Sequence, residues 1–192
     1  MLEILNIPDI RRQVAPITIE RYHRMIELGL FDEWKVELLN GVLVEKMSKS
    51  PLHVFVVQML FQQLTDFCQG LEEDLIVRKE DPITIGDSEP KPDLSVVEGK
   101  PSQFKDANPS TARLVIEVSI STLSVDHAKA MEYATAGIPE YWIIRPGVKV
   151  IEVHGHLVDG NYTETKEVPG GETVESAILT GFGFCLEEAL KG

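Results

Sequence analysis

Leu114-Val115-Ile116-Glu117-Val118-Ser119-Ile120 is the stretch that decides how this chain folds. A short run dominated by β-branched and apolar side chains reads as a strand, and alternate residues along a strand share a face. Leu114, Ile116, Val118 and Ile120 form one wholly apolar face, so Glu117 points the other way with Val115 and Ser119. An ionisable carboxylate inside a strand fit for burial is costly without a partner. Ser121 to Val125 leads from this strand into a helix from about Asp126 to Ala136, closed by Gly137 and Pro139. Tyr141-Trp142-Ile143-Ile144 is the next strand. Strand, helix and strand in this order predict a βαβ crossover and a parallel pair.

Upstream, Thr18 is a plausible cap for a helix through Ile19, Tyr22, Met25 and Ile26 to Leu28, stopped by Gly29. Trp34 to Leu39 and Val42 to Glu45 flank Asn40-Gly41, a strong hairpin signal because both turn residues accept positive φ. Ser50-Pro51 opens a second helix, with Val54, Phe55, Val57, Leu60, Phe61 and Leu64 expected on a wide, largely buried apolar face. Leu75-Ile76-Val77 and Ile83-Thr84-Ile85 are short strand candidates around Asp81-Pro82. Pro92-Asp93 opens the strand Leu94-Ser95-Val96-Val97, and residues 100–111 form a loop. Lys149 to Val153 is a further strand, followed by short strands separated by Asp159-Gly160, Pro169-Gly170-Gly171 and Gly181. The sum is a mixed α/β (α+β) sheet with helices packed on it and extra β-hairpins, rather than a doubly wound fold.

The 192 residues fit one domain, 1–192, with 1–17 as an extended arm. Hydrophobic residues are 43% of the chain and charged residues 26%, an ordinary balance for a globular protein. No apolar run approaches the ~18 residues that would span a bilayer, and residues 1–16 lack the layout of a secretory signal. Cys68 and Cys185 lie far apart in apolar contexts and read as buried reduced thiols, which together place the protein in the cytoplasm. The net charge of −13, from 18 basic against 31 acidic residues, argues against a large sequence-independent grip on nucleic acid. It allows a local basic rim, for which Lys35, Lys46, Lys49, Arg78, Lys79 and Lys91 are the candidates; each alone reads first as a solvated surface charge.

The chemistry concentrates on Asp93, Glu117 and Lys129. If the strands that begin at Leu94 and Leu114 are neighbours, ~4.8 Å apart, their carboxylates can meet at one metal. Glu37, in the first arm of the hairpin, is a third acidic candidate. Asp126, Lys129 and Tyr133 share one side of the helix after the Glu117 strand, and the Lys129 ammonium is expected to return over Ser119. Acidic ligands to a divalent metal beside a lysine are suited to phosphodiester hydrolysis, with the lysine orienting water or stabilising charge in the transition state.

Plainer readings stand beside these. Glu37 pairs across its hairpin with Lys35 or Lys46; Asp93 bonds its own turn; Glu117 and Lys129 form a metal-free buried pair; Asp126 caps its helix. Tyr133, Tyr141 and Trp142 read as core. His53 is balanced between a boundary residue and one that lines the site. His154 and His156 share a strand face, which permits metal binding, but the turn after them points to surface exposure and no zinc is assigned there.

Pro92-Asp93 followed by Glu117-Val118-Ser119 resembles the PD-(D/E)xK nuclease superfamily, with Ser119 standing where its motif lysine would be. Within it the chain is similar to the Uma family of endonucleases, a former domain of unknown function. The pattern is Val36-Glu37-Leu38-Leu39-Asn40-Gly41, Ser50 with His53, Pro92-Asp93-Leu94-Ser95-Val96-Val97, Ile116-Glu117-Val118-Ser119, Ser121-Thr122, Asp126, Lys129, Tyr133 and Gly137-Ile138-Pro139-Glu140-Tyr141-Trp142. It spans about residues 18–190. The resemblance implies a restriction-endonuclease-like fold and a DNA endonuclease. It implies Mg²⁺ or Mn²⁺ on Asp93, Glu117 and the carbonyl of Val118, with Glu37 as an accessory acid, Lys129 as the relocated lysine, and His53 and Ser119 lining the site. It also implies a homodimer, since a duplex has two strands. Two other functions stay open: an interaction module that keeps the fold without catalysis, and a hydrolase of a small phosphorylated molecule.

Overall fold

A computed structural model of the chain describes Asp9 and residues 13–191. Most of the arm expected over 1–17 lies outside these residues.

The central sheet has six strands in simple sequential order: β3 (Leu75–Lys79), β4 (Leu94–Glu98), β5 (Leu114–Val118), β6 (Tyr141–Arg145), β7 (Val150–Val158) and β8 (Asn161–Pro169). Only β5 and β6 run parallel; every other neighbouring pair is antiparallel. That single parallel pair is the expected crossover, and α3 (Leu123–Thr135) makes it. Two ribbons stand outside the sheet: β1 (Val36–Leu39) with β2 (Val42–Glu45), and β9 (Thr173–Glu175) with β10 (Gly183–Cys185).

The sheet divides its side chains by parity. Leu94, Val96, Leu114, Ile116, Val118, Trp142, Ile144, Ile151 and Val153 face one core, which α2 (Pro51–Gln69) covers with Val56, Val57, Leu60, Leu64 and Cys68. Val174 and Phe184 from the second ribbon, Phe182 just before its second strand, and Leu186 from the short α4 (Leu186–Ala189) complete that layer. Val97, Val115, Tyr141 and Ile143 face the opposite core under α3, with Tyr133, Ile138, Ile83 and Ile85. Truncating a fully buried side chain such as Leu60 to alanine costs about 2–5 kcal/mol in transfer and cavity terms. A smaller cluster of Tyr22, Val36 and Leu38 fastens α1 (Ile19–Glu27) to the first ribbon.

The first ribbon turns at Asn40 (φ 48°) and Gly41 (φ 71°), the left-handed pair that its Asn-Gly sequence predicts. A Cβ on Gly41 would come within 2.5 Å of the Pro16 side chain, so glycine is required there for space as well as conformation. The turn is tied down on three sides. Gly41 N–H donates to the Asp87 carbonyl (3.1 Å), Asn40 N–H to Ser88 Oγ (2.8 Å), and the Asn40 amide to the Glu132 carboxylate.

Several sequence expectations need correction. Ile83–Ile85 is not a strand: Ile85 makes an isolated bridge to Ser88, and both isoleucines are buried without a ladder. Val54 and Phe55 are exposed, because the sheet covers one stripe of α2 rather than a wide face. The loop over 100–111 contains a 3₁₀ turn at Pro101–Phe104. α3 begins at Leu123, with Thr122 in the cap position, so Asp126 lies inside the first turn instead of capping it. Cys68 is buried, and burial lifts its thiol to about 11; Cys185 is only half-buried, and both are free thiols. Among the described residues no helix is long and apolar enough to cross a membrane.

Candidate active site

The antiparallel register of β4 and β5 sets Leu94 opposite Ile116. The next position outward brings Asp93 and Glu117 together, both buried. The two residues are cross-linked through each other's strand. The Asp93 N–H donates to Glu117 Oε2 (3.2 Å), and Val118 N–H donates to Asp93 Oδ2 (2.8 Å). Backbone donors thus hold both carboxylates in place.

Three other elements close on this pair. From α3, Lys129 Nζ lies 2.9 Å from Glu117 Oε1 and 2.7 Å from Glu37 Oε1. Glu37 is brought in by β1, and its other oxygen accepts the Lys91 N–H at 3.0 Å. One helical turn on from Lys129, the Tyr133 hydroxyl donates to Glu117 Oε1 (3.2 Å). From the start of α2, His53 Nε2 lies 2.9 Å from Asp93 Oδ2. Ser50 caps that helix by accepting the His53 N–H at 3.2 Å, which fixes the backbone of the histidine. Just before the cap, Lys49 Nζ reaches Asp93 Oδ1 (2.9 Å) and Glu80 Oε1 (3.0 Å).

These neighbours divide the two acids electrostatically. Burial alone would raise Asp93, but the hydrogen bond and charge of His53, the Lys49 charge and the Val118 N–H overcome it and hold the carboxyl well below its usual range. Glu117 goes the other way. Burial carries it up to about 7 despite Lys129, and the charge of Asp93 adds to the rise. Lys129 is held above its ordinary value: burial opposes this, but Glu117 and Glu37 outweigh it. Asp126 is also raised, chiefly by burial, although Thr122, Lys129 and the Ser119 hydroxyl stabilise its charge.

All of this surrounds a cavity of about 440 Å³ lined by Glu37, Lys49, His53, Asp93, Glu117 and Lys129. An adjoining groove shares Lys46 and Lys49 with it and adds Lys35 and Lys91. Of the candidate basic rim, Lys35, Lys46, Lys49 and Lys91 thus reach the mouth of the cavity, interleaved with Asp32, Glu33, Glu45 and Glu80, whereas Arg78 and Lys79 do not line it.

The structure brings Glu37, Asp93, Glu117 and Lys129 into one cluster, with His53 on its wall and Ser119 beside Asp126. Glu37 does not pair across its hairpin; it turns inward to Lys129. The Lys129 ammonium meets Glu117 and Glu37 rather than passing over Ser119. The Glu117–Lys129 contact is common to the metal-site reading and to the plain ion-pair reading. Lys49, Asp126 and Tyr133 join the site beyond the residues that the sequence assigns to it. For Tyr133 the signal was its position four residues after Lys129; for Lys49 it was the place immediately before the cap that orients His53.

Oxygen atoms of Asp93, Glu117 and Val118 could hold a cation. Val118 directs its N–H at Asp93, and within a strand a residue's N–H and C=O lie on the same edge, so its carbonyl is aimed toward the acidic pair. Carboxylate and carbonyl oxygens are the donor set of a hard ion such as Mg²⁺ or Mn²⁺, and the set fits that ion.

The sequence matches the Uma2 family, described as a putative restriction endonuclease, over residues 19–187. The chain therefore belongs to that family. No curated protein matches it. Among solved structures, the fold is similar to a putative nuclease belonging to DUF820 from Anabaena variabilis ATCC 29413. The TM-score is 0.73 at 15% identity, over 92% of this chain and 98% of that one. A looser match, to the type IIG restriction endonuclease BpuSI, has a TM-score of 0.41 at 18% identity. It covers 63% of this chain and 14% of that one.

Proposed function

From membership in the Uma2 family, we propose that this protein is a metal-dependent endonuclease that hydrolyses DNA phosphodiester bonds. The observation that carries the reading is the Asp93–Glu117 pair, preset by backbone hydrogen bonds and contacted by a buried lysine from α3.

Asp93, Glu117 and the Val118 carbonyl would hold Mg²⁺ or Mn²⁺, which would supply Lewis-acid stabilisation of the charge that builds on the phosphate. Lys129 has three N–H donors, two of them directed at Glu117 and Glu37. The third orients the attacking water or a phosphate oxygen. Glu37 fixes the lysine in place. His53 and Lys49 keep Asp93 ionised, and Lys46 and Lys49 draw the phosphate backbone to the cavity mouth. The protein works as a homodimer, so that two sites reach both strands of a duplex.

The test is nicking of supercoiled plasmid with Mn²⁺ or Mg²⁺ by the purified protein, Asp93→Ala and Lys129→Ala. Cleavage by the parent that is lost in both variants supports the full reading. Loss in Asp93→Ala alone keeps the metal site and removes the lysine's role. No cleavage by the parent, or equal cleavage by all three, overturns it.

The net charge of −13 and the small size of the cavity favour a second reading, hydrolysis of a small phosphorylated molecule. Nucleotides and short oligonucleotides offered side by side separate the two. An inert module would cleave neither.

A further inference from the structure

On the far side of α3 from Lys129, three side chains converge that the proposed nuclease chemistry does not use. His127 comes from α3; Glu152 and His154, two residues apart on β7, share a sheet face. His127 Nε2 lies 2.8 and 3.0 Å from the two oxygens of Glu152, and His154 Nε2 lies 2.9 Å from Glu152 Oε1. One ligand atom from each residue falls within 4.8 Å of the others.

The contact of His154 is close without being a hydrogen bond. Its Nε2 is buried and has no partner of acceptable geometry, and the residue is only 8% exposed. Its other nitrogen, Nδ1, lies 3.1 Å from Thr165 Oγ1. With the proton on Nδ1 and shared with Thr165, Nε2 is a lone pair directed into the cluster. A histidine that ligates a metal characteristically gives its second nitrogen to such a partner. The ring is held against Tyr141 (centroids 5.5 Å apart, 21° between planes), and the Tyr141 hydroxyl donates to the Asp126 carbonyl on α3 (3.0 Å). Glu152 is not committed elsewhere: Arg145 is 4.0 Å away and pairs more closely with Glu167, at 3.0 Å.

We propose that His127, Glu152 and His154 form a second metal site, for a borderline transition-metal ion such as Zn²⁺, which clamps α3 to β7. Two imidazoles and a carboxylate with an open fourth position suit zinc, whereas the oxygen donors of Asp93 and Glu117 suit Mg²⁺. Tetrahedral zinc spaces its N and O ligands roughly 3.4 Å apart, so the two His–Glu152 contacts, at 2.8 and 2.9 Å, open slightly on binding. His156, which the sequence pairs with His154, takes no part: it leaves the ladder with φ 52° and is exposed. The site does not depend on the acidic pair being catalytic.

The experiment titrates Zn²⁺ into chelator-treated protein against a chromophoric competitor, with millimolar Mg²⁺ present to occupy the acidic site, and repeats it with Co²⁺ for its visible d–d bands. The expected result is one Zn²⁺ per chain and a rise in the thermal midpoint. In His127→Gln and Glu152→Gln the affinity should fall at least roughly tenfold, the effect of losing even an outer-shell partner. Asp93→Asn should bind zinc like the parent. The His127 side chain is 45% exposed, so its variant tests binding without threatening the fold. No zinc bound by the parent, zinc binding unchanged in His127→Gln, or zinc binding lost in Asp93→Asn would each overturn the proposal.

Discussion

Asp93 and Glu117 each hold the other's strand: the backbone of one donates to the carboxylate of the other, and the Asp93 carboxylate accepts from the residue after Glu117. Two buried acids thus stand side by side because the end of a sheet is fastened there. Their spacing belongs to the fold.

Asp93→Asn keeps an oxygen for the Val118 N–H but loses the charge. It should stay folded, with a cooperative thermal transition, while nicking falls by on the order of 10²–10³. Plasmid nicking and thermal unfolding on the same preparation check both halves. Residual cleavage near the parent rate would remove Asp93 from the reaction.

Lys129 pairs with Glu117 and Glu37 at once in a buried setting. Lys129→Met should destabilise the protein by about 3–5 kcal/mol, the cost of leaving a buried pair half-made. The double variant Lys129→Met/Glu117→Gln should recover part of that loss. Urea unfolding of the four members of the cycle reads the coupling.

Glu117 titrates near 7 in the folded protein, against 4.5 for an ordinary glutamate. The native state therefore binds this proton more tightly than the unfolded chain, and stability from this group is greatest below about pH 4.5 and is lost as pH rises through about 7. In metal-free buffer, the thermal midpoint of the parent minus that of Glu117→Gln should fall between pH 5 and pH 8. A flat difference would show that the carboxyl is ionised throughout.

Lys35 lines the groove beside the cavity. In an Asp93→Asn background, Lys35→Ala should weaken duplex binding evenly across sequences. It should lower the slope of log affinity against log salt by about 1. Fluorescence anisotropy across a salt series gives the slope.

The parts of this architecture legible in the sequence are those fixed by neighbours along the chain. Asn40-Gly41 dictates its own turn, and the alternation from Leu114 to Val118 turns Glu117 away from the apolar face whatever surrounds it, although the strand stops short of Ile120, which is exposed. The parts that the sequence alone misplaces depend on distant segments. Ile83 and Ile85 have strand-like composition, yet they reach the core through side chains alone. Val54 and Phe55 are as apolar as Val56 and Val57, and only the position of the sheet decides which pair is buried. His154 looked exposed because a turn follows; the strand runs on to Val158 and β8 folds back against it. The site itself was legible in its members but not in its bonds. That Lys129 serves Glu37 as well as Glu117 depends on how a ribbon 90 residues upstream packs against α3, which no local pattern carries.

The Asn40-Gly41 turn has a consequence for the lifetime of the molecule. An asparagine before glycine is the pair most open to deamidation: the glycine nitrogen attacks the side-chain amide, ring closure expels ammonia, and hydrolysis leaves aspartate or its β-linked isomer. Here the attacking nitrogen is bound to the Asp87 carbonyl and the amide to Glu132. The folded chain thus restrains both partners of an ageing reaction, and each excursion to the unfolded state releases them. Damage would place a new negative charge against Glu132 and, in the isomer, an extra methylene in the tightest corner of the ribbon that carries Glu37. For this protein, chemical age is a record of time spent unfolded.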